Sequence, residues 1–336
     1  SRLLGASILT ALRGPDFWQP AATALGSVWS GTAPGTLEFG QHVFWWAAIG
    51  SILAFIPYFP HSKHFHLIIT PLNYLLAPSR RSPGEMLPLD MEDESIEQFG
   101  ATSIEDLSAS ALMDAYACIM CNRCQDACPA YQTGKILSPA ALEINKRYFL
   151  NQEGAAIAQG DSSSQTLVEM AIPEEAVWAC TACGACIDIC PVGNEPMMDI
   201  LEIRRGLVLM ENKFPAPLQT TFRGLERNGN PWNIPPDKRM DWAEGLDIPL
   251  ASECDHVELL WWVGCAPATD ARAQKTAQAF ARLLQKAGVA FVVLGPEEMC
   301  TGDAARRSGH EYISYELALQ NVETLNRVNP DRIVTT

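Results

Sequence analysis

The sequence predicts a multidomain chain made of a transmembrane helix, an all-α domain built around two cysteine runs, and an α/β domain. Three observations support this division. An uncharged, largely apolar run covers residues 43–59, two similar cysteine runs lie at 118–129 and 180–191, and strand-like and helix-like patterns alternate from residue 256 onward. The chain has 336 residues, 48% of them hydrophobic, which is enough for two or three separate cores.

We place the domain boundaries where the composition changes. The expected parts are a membrane segment at 1–77, an acidic linker at 78–110, a helical cysteine domain at 111–215, a connector at 216–255, and a cysteine-rich α/β domain at 256–336. The N-terminal stretch SRLLGASILTALRG has no initiator methionine and reads as the tail of a helix, so we expect further sequence before it. This stretch also lacks the basic start and the small-residue cleavage site of a signal peptide.

The uncharged run predicts one transmembrane helix at about 39–59, because roughly 20 apolar residues in a helix span the hydrocarbon core of a bilayer. Trp45 and Trp46 near one end and Tyr58 near the other match the aromatic belts of membrane helices. The alternative is a buried helix of a soluble domain. By the positive-inside rule, the cysteine domains lie on the cytoplasmic side of the cell inner membrane. The basic residues behind this expectation are Lys63, Arg80 and Arg81.

The charge and the cysteine distribution exclude two classes of protein. A net charge of −15 argues against a nucleic-acid partner, because nucleic-acid-binding domains carry a basic face. Eleven cysteines would suit a disulfide-rich secreted protein if they were scattered, but eight of them lie in the two runs. Such clustering indicates metal ligands in a reducing compartment. The linker, which we interpret as a solvated connection, holds the acidic residues Asp90, Glu92, Asp93, Glu94 and Glu97.

The two cysteine runs, CIMCNRCQDACP and CTACGACIDICP, repeat one spacing. Zinc sites instead use separate CxxC pairs or a CxxC with later histidines. The observed spacing is that of paired [4Fe–4S] clusters, in which three thiolates of a run bind one cluster and the fourth, before proline, binds the other. We therefore expect one cluster on Cys118, Cys121, Cys124 and Cys190, and a second on Cys180, Cys183, Cys186 and Cys128.

The last part of the chain predicts a parallel α/β sheet, with strands at VELLWWVGC, VAFVVLG and DRIVTT. The helix after the first strand has an apolar face that includes Ala279, Leu283 and Leu284. Cys265 and Cys300 follow the first two strands, where α/β folds place their ligands. A further iron–sulfur cluster at these two cysteines is one expectation, and a structural remnant or an incomplete site is the alternative.

Both cysteine-containing domains resemble known families. The long helical segment SPAALEINKRYFLNQEG between the runs resembles the α-helical ferredoxin domain of succinate dehydrogenase iron–sulfur subunits and heterodisulfide-reductase-like proteins. VGCAP and EEMCTGDAARRSGHE resemble the cysteine-rich CCG domain of heterodisulfide reductase and of anaerobic glycerol-3-phosphate dehydrogenase. The chain departs from the CCG pattern, because it has MCTG at 299–302 and no closing CxxC before Thr336. We therefore expect the sequence to continue beyond that residue.

Histidines flank the expected transmembrane helix. His42 and His66 are 24 residues apart, about 36 Å along a helix, so they do not share one haem. FPHSKHFHLIITPLNYLLAP resembles the end of the last helix in nitrate-reductase-γ-like membrane domains. This resemblance implies that His42 and His66 bind haem b, each with a partner on another helix. For His61 and His64 we expect an interfacial position among the lipid head groups instead.

The order of these parts resembles the membrane-bound heterodisulfide-reductase-like oxidoreductases, most closely the electron-transfer-flavoprotein:menaquinone oxidoreductases. The connector RNGNPWNIPPDKRMDWAEGLDIP adds to this resemblance. It implies a relay from a cytoplasmic flavoprotein, such as electron transfer flavoprotein, through the clusters and haem to menaquinone in the lipid membrane. Two alternatives remain. One is a heterodisulfide reductase, or an iron–sulfur subunit for the oxidation of glycerol 3-phosphate or lactate; the other is a redox sensor without turnover.

Overall fold

The computed structural model describes residues 2–79, 85–86, 88–93 and 95–335, and it divides into two compact units, Ser1–Pro71 and Leu72–Thr336. Two of the basic residues behind the expected membrane orientation, Arg80 and Arg81, lie outside the described residues, as does Glu94 of the acidic linker. The orientation therefore stays a prediction.

The first unit is helical. Its helices are α1 (Arg2–Arg13), α2 (Pro20–Gly26) and α3 (Pro34–Tyr58), and α4 (His66–Leu76) begins in it and ends in the second unit. Short 3-10 turns occur at Ser27–Trp29, Phe59–His61 and Lys63–Phe65. Proline at the first turn of α3 starts the helix without the loss of a hydrogen bond.

Helix α3 corresponds to the expected transmembrane helix. Within the described part of the chain, one helix, Pro34–His61, is long and apolar enough to cross a membrane, and none of its most apolar stretch is buried inside the structure. Trp46 and Ile56 are more than half exposed. The helix begins a few residues before the expected 39–59, because the small and polar residues at its start also adopt helical backbone.

The dicluster region of the second unit is also helical. Its helices are α5 (Ala109–Ala117), α6 (Arg123–Asp126), α7 (Pro129–Gln132), α8 (Pro139–Ile157), α9 (Leu167–Met170), α10 (Glu174–Ala179), α11 (Ala185–Asp188) and α12 (Pro196–Leu209). Leu142, Val177 and Ile200 lie at the centre of its core and are fully buried. A connector helix, α13 (Ala216–Asn228), follows, with 3-10 turns at Pro236–Ala243 and Ala251–Glu253.

The core of this region extends into residues that the sequence suggests as linker. Ala101 and Ile104 are buried in it, and the Ala101 amide donates a hydrogen bond to the Glu202 carbonyl (2.9 Å). Gly100 has a φ of +74°, and a Cβ there would overlap the Gly206 backbone of α12. The chain thus approaches α12 closely at a position where only glycine fits.

The cysteine-rich region is a small parallel sheet with helices. Its elements are β1 (Leu259–Trp262), α14 (Cys265–Thr269), α15 (Ala271–Lys286), α16 (Asp303–Arg307), α17 (Glu311–Val328) and β2 (Arg332–Thr335). β1 and β2 pair in parallel, and Leu259 lies opposite Arg332. The expected middle strand is reduced to a bridge, since Trp261 donates to the Val292 carbonyl (2.8 Å) and Val292 donates to the Leu259 carbonyl (3.0 Å).

Candidate metal centres

The two cysteine loops have the same backbone. Cys118 follows the last residue of α5, and Cys180 follows the last residue of α10. Each loop then places its third and fifth residues in the left-handed region before a short helix begins. The φ angles are 56° at Met120, 61° at Asn122, 51° at Ala182 and 78° at Gly184. Left-handed backbone is uncommon for methionine and alanine, and such strained residues concentrate at functional sites.

This backbone turns amide groups toward sulfur. The Met120 amide donates to Cys118 Sγ (3.4 Å), and the Ala182 amide donates to Cys180 Sγ at the same distance. In the second run, the Asn194 amide donates to Cys190 Sγ (3.3 Å). Hydrogen bonds to thiolate sulfur stabilise the added negative charge of a bound metal cluster and help to set its reduction potential.

The fourth cysteine of each run lies beside the other run. Cys118 and Cys124 have Cys190 as an electrostatic neighbour, and Cys180 has Cys128. One cavity is lined by all four thiols of the first expected set, Cys118, Cys121, Cys124 and Cys190. A zinc site would need four ligand atoms about 2.3 Å from one point. Among the described residues, no group of three or more Cys, His, Asp or Glu side chains is arranged to hold a single metal ion.

The thiols are poor acids in the absence of a metal. Burial raises the pKa of Cys118 to about 11 and the pKa values of Cys124 and Cys186 to about 12. These thiols are therefore protonated at neutral pH. Since metals bind the thiolate, loading of the site must release these protons.

A group of buried charged residues lies against the first cavity. Glu143 lines that cavity, and its carboxylate lies 3.0 Å from Lys146 Nζ. Lys146 also pairs with Asp199, and both Glu143 and Lys146 are fully buried. The sequence pattern does not predict this group. The spacing of Glu143 and Lys146 in α8 was visible, but the burial of both side chains depends on α12.

Asp114 connects this group to the second run. Its carboxylate accepts hydrogen bonds from Asn73 Nδ2 (2.7 Å) and from the Glu195 amide (2.8 Å), and its carbonyl accepts one from Asn194 Nδ2 (2.6 Å). Burial raises the pKa of Asp114 to about 7, although Lys146 partly opposes that shift. Between about pH 4 and about pH 7, the folded chain therefore holds a proton here that the unfolded chain has lost.

This raised pKa gives a testable dependence of stability on pH. Because the folded state binds the extra proton, the free energy of unfolding should fall as the pH rises from about 4 to about 7 and should level off above that. We expect Asp114→Asn, which cannot ionise, to show a flatter dependence. Urea unfolding midpoints measured across this range for both proteins check the expectation. Parallel curves for the two proteins would contradict it.

Cys265 and Cys300 also lie together. Cys300 is buried, and Cys265 packs against the same apolar cluster. The Cys265 thiol donates a hydrogen bond to Cys300, which lowers the pKa of Cys300 below its ordinary value. Asn321 Nδ2 donates to the Cys300 carbonyl (2.9 Å) and so fixes the backbone at this position.

The histidines of the first unit differ in how they are held. His66 Nδ1 lies 2.7 Å from the Lys63 carbonyl, and a carbonyl only accepts, so Nδ1 carries the proton. The Nε2 lone pair of His66 is then available to a metal. His42 is exposed on α3, and His61 is exposed after it.

Comparisons with known proteins agree with this arrangement. Residues 111–191 match the family model described as a 4Fe-4S dicluster domain, and residues 259–336 match the model described as a cysteine-rich domain. No solved structure is significantly similar to the chain.

Three curated relatives cover most of the chain. A protein named probable iron-sulfur-binding oxidoreductase FadF, from Bacillus subtilis, is 35% identical over 98% of this chain and 52% of its own length. An EtfAB:quinone oxidoreductase from Syntrophomonas wolfei is 34% identical over 88% of this chain and 44% of its own length. A probable membrane-anchored ferredoxin from Chromohalobacter salexigens is 32% identical over 76% of this chain and 40% of its own length.

The chain thus spans about half the length of the relatives that it matches. Within that span, the residues that match the dicluster model precede those that match the cysteine-rich model. The chain therefore carries a 4Fe–4S dicluster domain followed by a cysteine-rich CCG domain, and over most of its length it is similar to proteins named as iron–sulfur oxidoreductases.

Proposed function

We propose that the chain is part of a membrane-anchored relay that takes electrons from a cytoplasmic flavoprotein and delivers them to menaquinone. The observation that carries the proposal is that Cys190 of the second run lies beside Cys118, and Cys128 of the first run lies beside Cys180. This supports a crossed arrangement, in which each loop would offer three thiols and the fourth would come from the other run. This donor set fits [4Fe–4S] clusters, which supply one-electron chemistry when bound. An electron relay needs no general base or nucleophile from the protein.

The proposed ligands are those that the spacing predicts. One cluster would be held by Cys118, Cys121, Cys124 and Cys190, and the other by Cys180, Cys183, Cys186 and Cys128. The protein's own contribution is to fix the two loops and to aim amides at the sulfurs, through Met120 at the first loop and Ala182 at the second. We further propose that Cys265 and Cys300 are ligands of a third iron–sulfur site, since the fold brings the two thiols together.

Membrane anchoring is supported by α3 and by the relative named as a membrane-anchored ferredoxin. We propose His66 and His42 as ligands of haem b, which would carry electrons to the quinone. The hydrogen bond from His66 Nδ1 to the Lys63 carbonyl fits this role, because it leaves Nε2 for the iron and fixes the ring.

The haem assignment makes a specific prediction. We expect full-length protein with His66→Leu to lose a haem b signal, because the substitution removes an axial ligand. The matched variant His61→Leu should keep the signal, since His61 is exposed and is assigned no haem. Reduced-minus-oxidised spectra of membranes measure this directly. A full haem signal in His66→Leu, or no haem in the wild type, would remove the claim.

The donor is inferred from chemistry and from the relatives. A flavin takes up two electrons and can release them one at a time, so a flavin carrier suits a relay that passes single electrons. One relative is also named as an EtfAB:quinone oxidoreductase. Steady-state turnover of full-length protein with reduced electron transfer flavoprotein and a menaquinone analogue tests the proposal. We expect continuous quinone reduction that depends on both partners.

The two alternatives have different outcomes in the same assay. A redox sensor would take up electrons once and show no steady flux. A heterodisulfide reductase, or an iron–sulfur subunit for glycerol 3-phosphate or lactate oxidation, would turn over with those substrates and not with the flavoprotein. Either result would replace the proposed donor.

A further inference from the structure

A buried arginine holds the second cysteine loop. Arg204, on α12, is only 6% exposed. Its guanidinium donates to the Cys180 carbonyl (2.6 Å), to the Val177 carbonyl (2.8 Å) and to the Arg307 carbonyl (2.9 Å). All these acceptors are neutral backbone groups. Among the described residues, no carboxylate in contact with Arg204 cancels its positive charge.

A second arginine reaches the same loop from the cysteine-rich domain. Arg307, the last residue of α16, donates from Nη1 to the Ala182 carbonyl (2.7 Å). Its Nε also binds the Asp303 carboxylate (2.9 Å), which fixes the side chain. Nearby, Gly309 has a φ of +87°, and a Cβ there would overlap the Arg204 backbone. The cysteine-rich domain is therefore in direct contact with α12 and with the second cysteine loop.

A tryptophan continues this contact toward the third pair of cysteines. Trp178, two residues before Cys180, lies under the Arg204 guanidinium, which is 5.3 Å from the ring centroid. The same ring packs in the apolar cluster that contains Cys300 and Cys265. The second run is thus joined to the cysteine-rich domain by both polar and apolar contacts.

The first run has a different charge environment. The charged side chains that act on its thiols are the carboxyl groups of Glu143 and Asp114. The nearby cation, Lys146, is bound to Glu143 and Asp199. In the described part of the chain, the second run alone has a buried cation that is held only by carbonyl groups.

We infer that Arg204 and Arg307 are positioning residues that hold the second cysteine loop on the cysteine-rich domain and make its cluster the more easily reduced of the two. The inference rests on the proposed pair of clusters. Reduction adds one electron to a cluster, and a nearby buried cation stabilises the added negative charge. The second loop, which is joined to that domain through Arg307 and Trp178, would therefore hold the cluster that best accepts electrons from it.

The test is a redox titration of the anaerobic holoprotein with dithionite, followed by electron paramagnetic resonance. Cys183→Ser and Cys121→Ser assign each signal to its cluster. We expect Arg204→Met to lower the midpoint potential of the signal that Cys183→Ser removes, and to leave the other unchanged. At the wild-type midpoint of that signal, the ratio of reduced to oxidised cluster should fall on the order of tenfold.

Three further variants separate charge from folding. Arg204→Lys keeps the charge and should recover most of the potential. Arg307→Met, at a half-exposed side chain, should fold and lower the same potential by less. Arg327→Met removes an exposed arginine that pairs with Glu297, and it should change neither potential.

The outcomes are distinct. Two wild-type signals with unchanged potentials in both Arg204→Met and Arg307→Met would overturn the inference and leave the proposed function intact. A shift confined to the signal that Cys121→Ser removes would also overturn it. A wild-type protein without two cluster signals would overturn the proposed function, and the inference with it.

Discussion

Cys190→Ser should remove the cluster of the first cysteine run, although Cys190 belongs to the second. The reason is the crossed arrangement, in which Cys190 lies beside Cys118 and Cys124. Iron should fall by about four atoms per chain, because each [4Fe–4S] cluster carries four. The resonance signal that disappears should be the one that Cys121→Ser also removes.

The reciprocal variant makes the test symmetric. Cys128→Ser should remove the signal that Cys183→Ser removes, while Cys254→Ser, outside both runs, should keep the iron content of the wild type. If Cys190→Ser and Cys183→Ser instead removed the same signal, each run would hold its own cluster. That result would disprove the crossed pairing, and only the existence of two clusters would remain supported.

Lys146→Met should destabilise the protein by about 3–5 kcal/mol, because it leaves the buried carboxylates of Glu143 and Asp199 without their cation. The Lys146 side chain is fully buried and also donates to the Ala111 carbonyl (3.0 Å), so water cannot replace it. Urea unfolding of the variant and the wild type, monitored by circular dichroism at one pH, measures the change.

Lys213→Met is the matched control for this prediction. Lys213 forms an ion pair with Glu211 (2.8 Å), but its side chain is 58% exposed, so its loss should change the stability little. A large effect at Lys213, or an equal and small effect at both positions, would contradict the account of a buried charge group. The Lys146→Met protein should also regain stability as the pH falls, because its uncompensated carboxylates then take up protons.

Spacing along the chain was the part of the site that the sequence could predict. Three cysteines at intervals of three residues leave the backbone few ways to turn all three sulfurs inward. Both loops do so with left-handed backbone at the same two positions. The length of the apolar run likewise predicted α3, since bilayer thickness fixes the length of a spanning helix. These signals are local, so a single sequence carries them.

Burial of charged residues could not be predicted in this way. Arg204 and Arg205 follow each other in ILEIRRGLVL, and arginine is ordinarily a surface residue. Arg204 is buried because carbonyls from two domains meet it, and Arg205 because Glu202 and Glu311 accept its hydrogen bonds. The most distant partners, such as Arg307, lie about a hundred residues from these arginines in the sequence. Only the tertiary structure brings such residues together.

The apolar face of α15 shows the same limit. The prediction that Leu283 lies on the buried face is wrong, since Leu283 is 64% exposed. The buried positions are Ala277 and Ala281, which pack against the cluster of Trp242 and Trp261. Small residues face the sheet because the large indole rings already fill the space, and a periodic pattern read from the sequence gives no information about that partner surface.

The central claim is that eight thiolates hold two iron–sulfur clusters, and metal and sulfide analysis of anaerobically purified wild-type protein tests it most directly. We expect a brown protein in which the two clusters account for about eight iron atoms and about eight acid-labile sulfides per chain, and a third site at Cys265 and Cys300 or a haem would add to the iron. A colourless protein that holds tightly bound zinc, or no metal at all, would contradict the account.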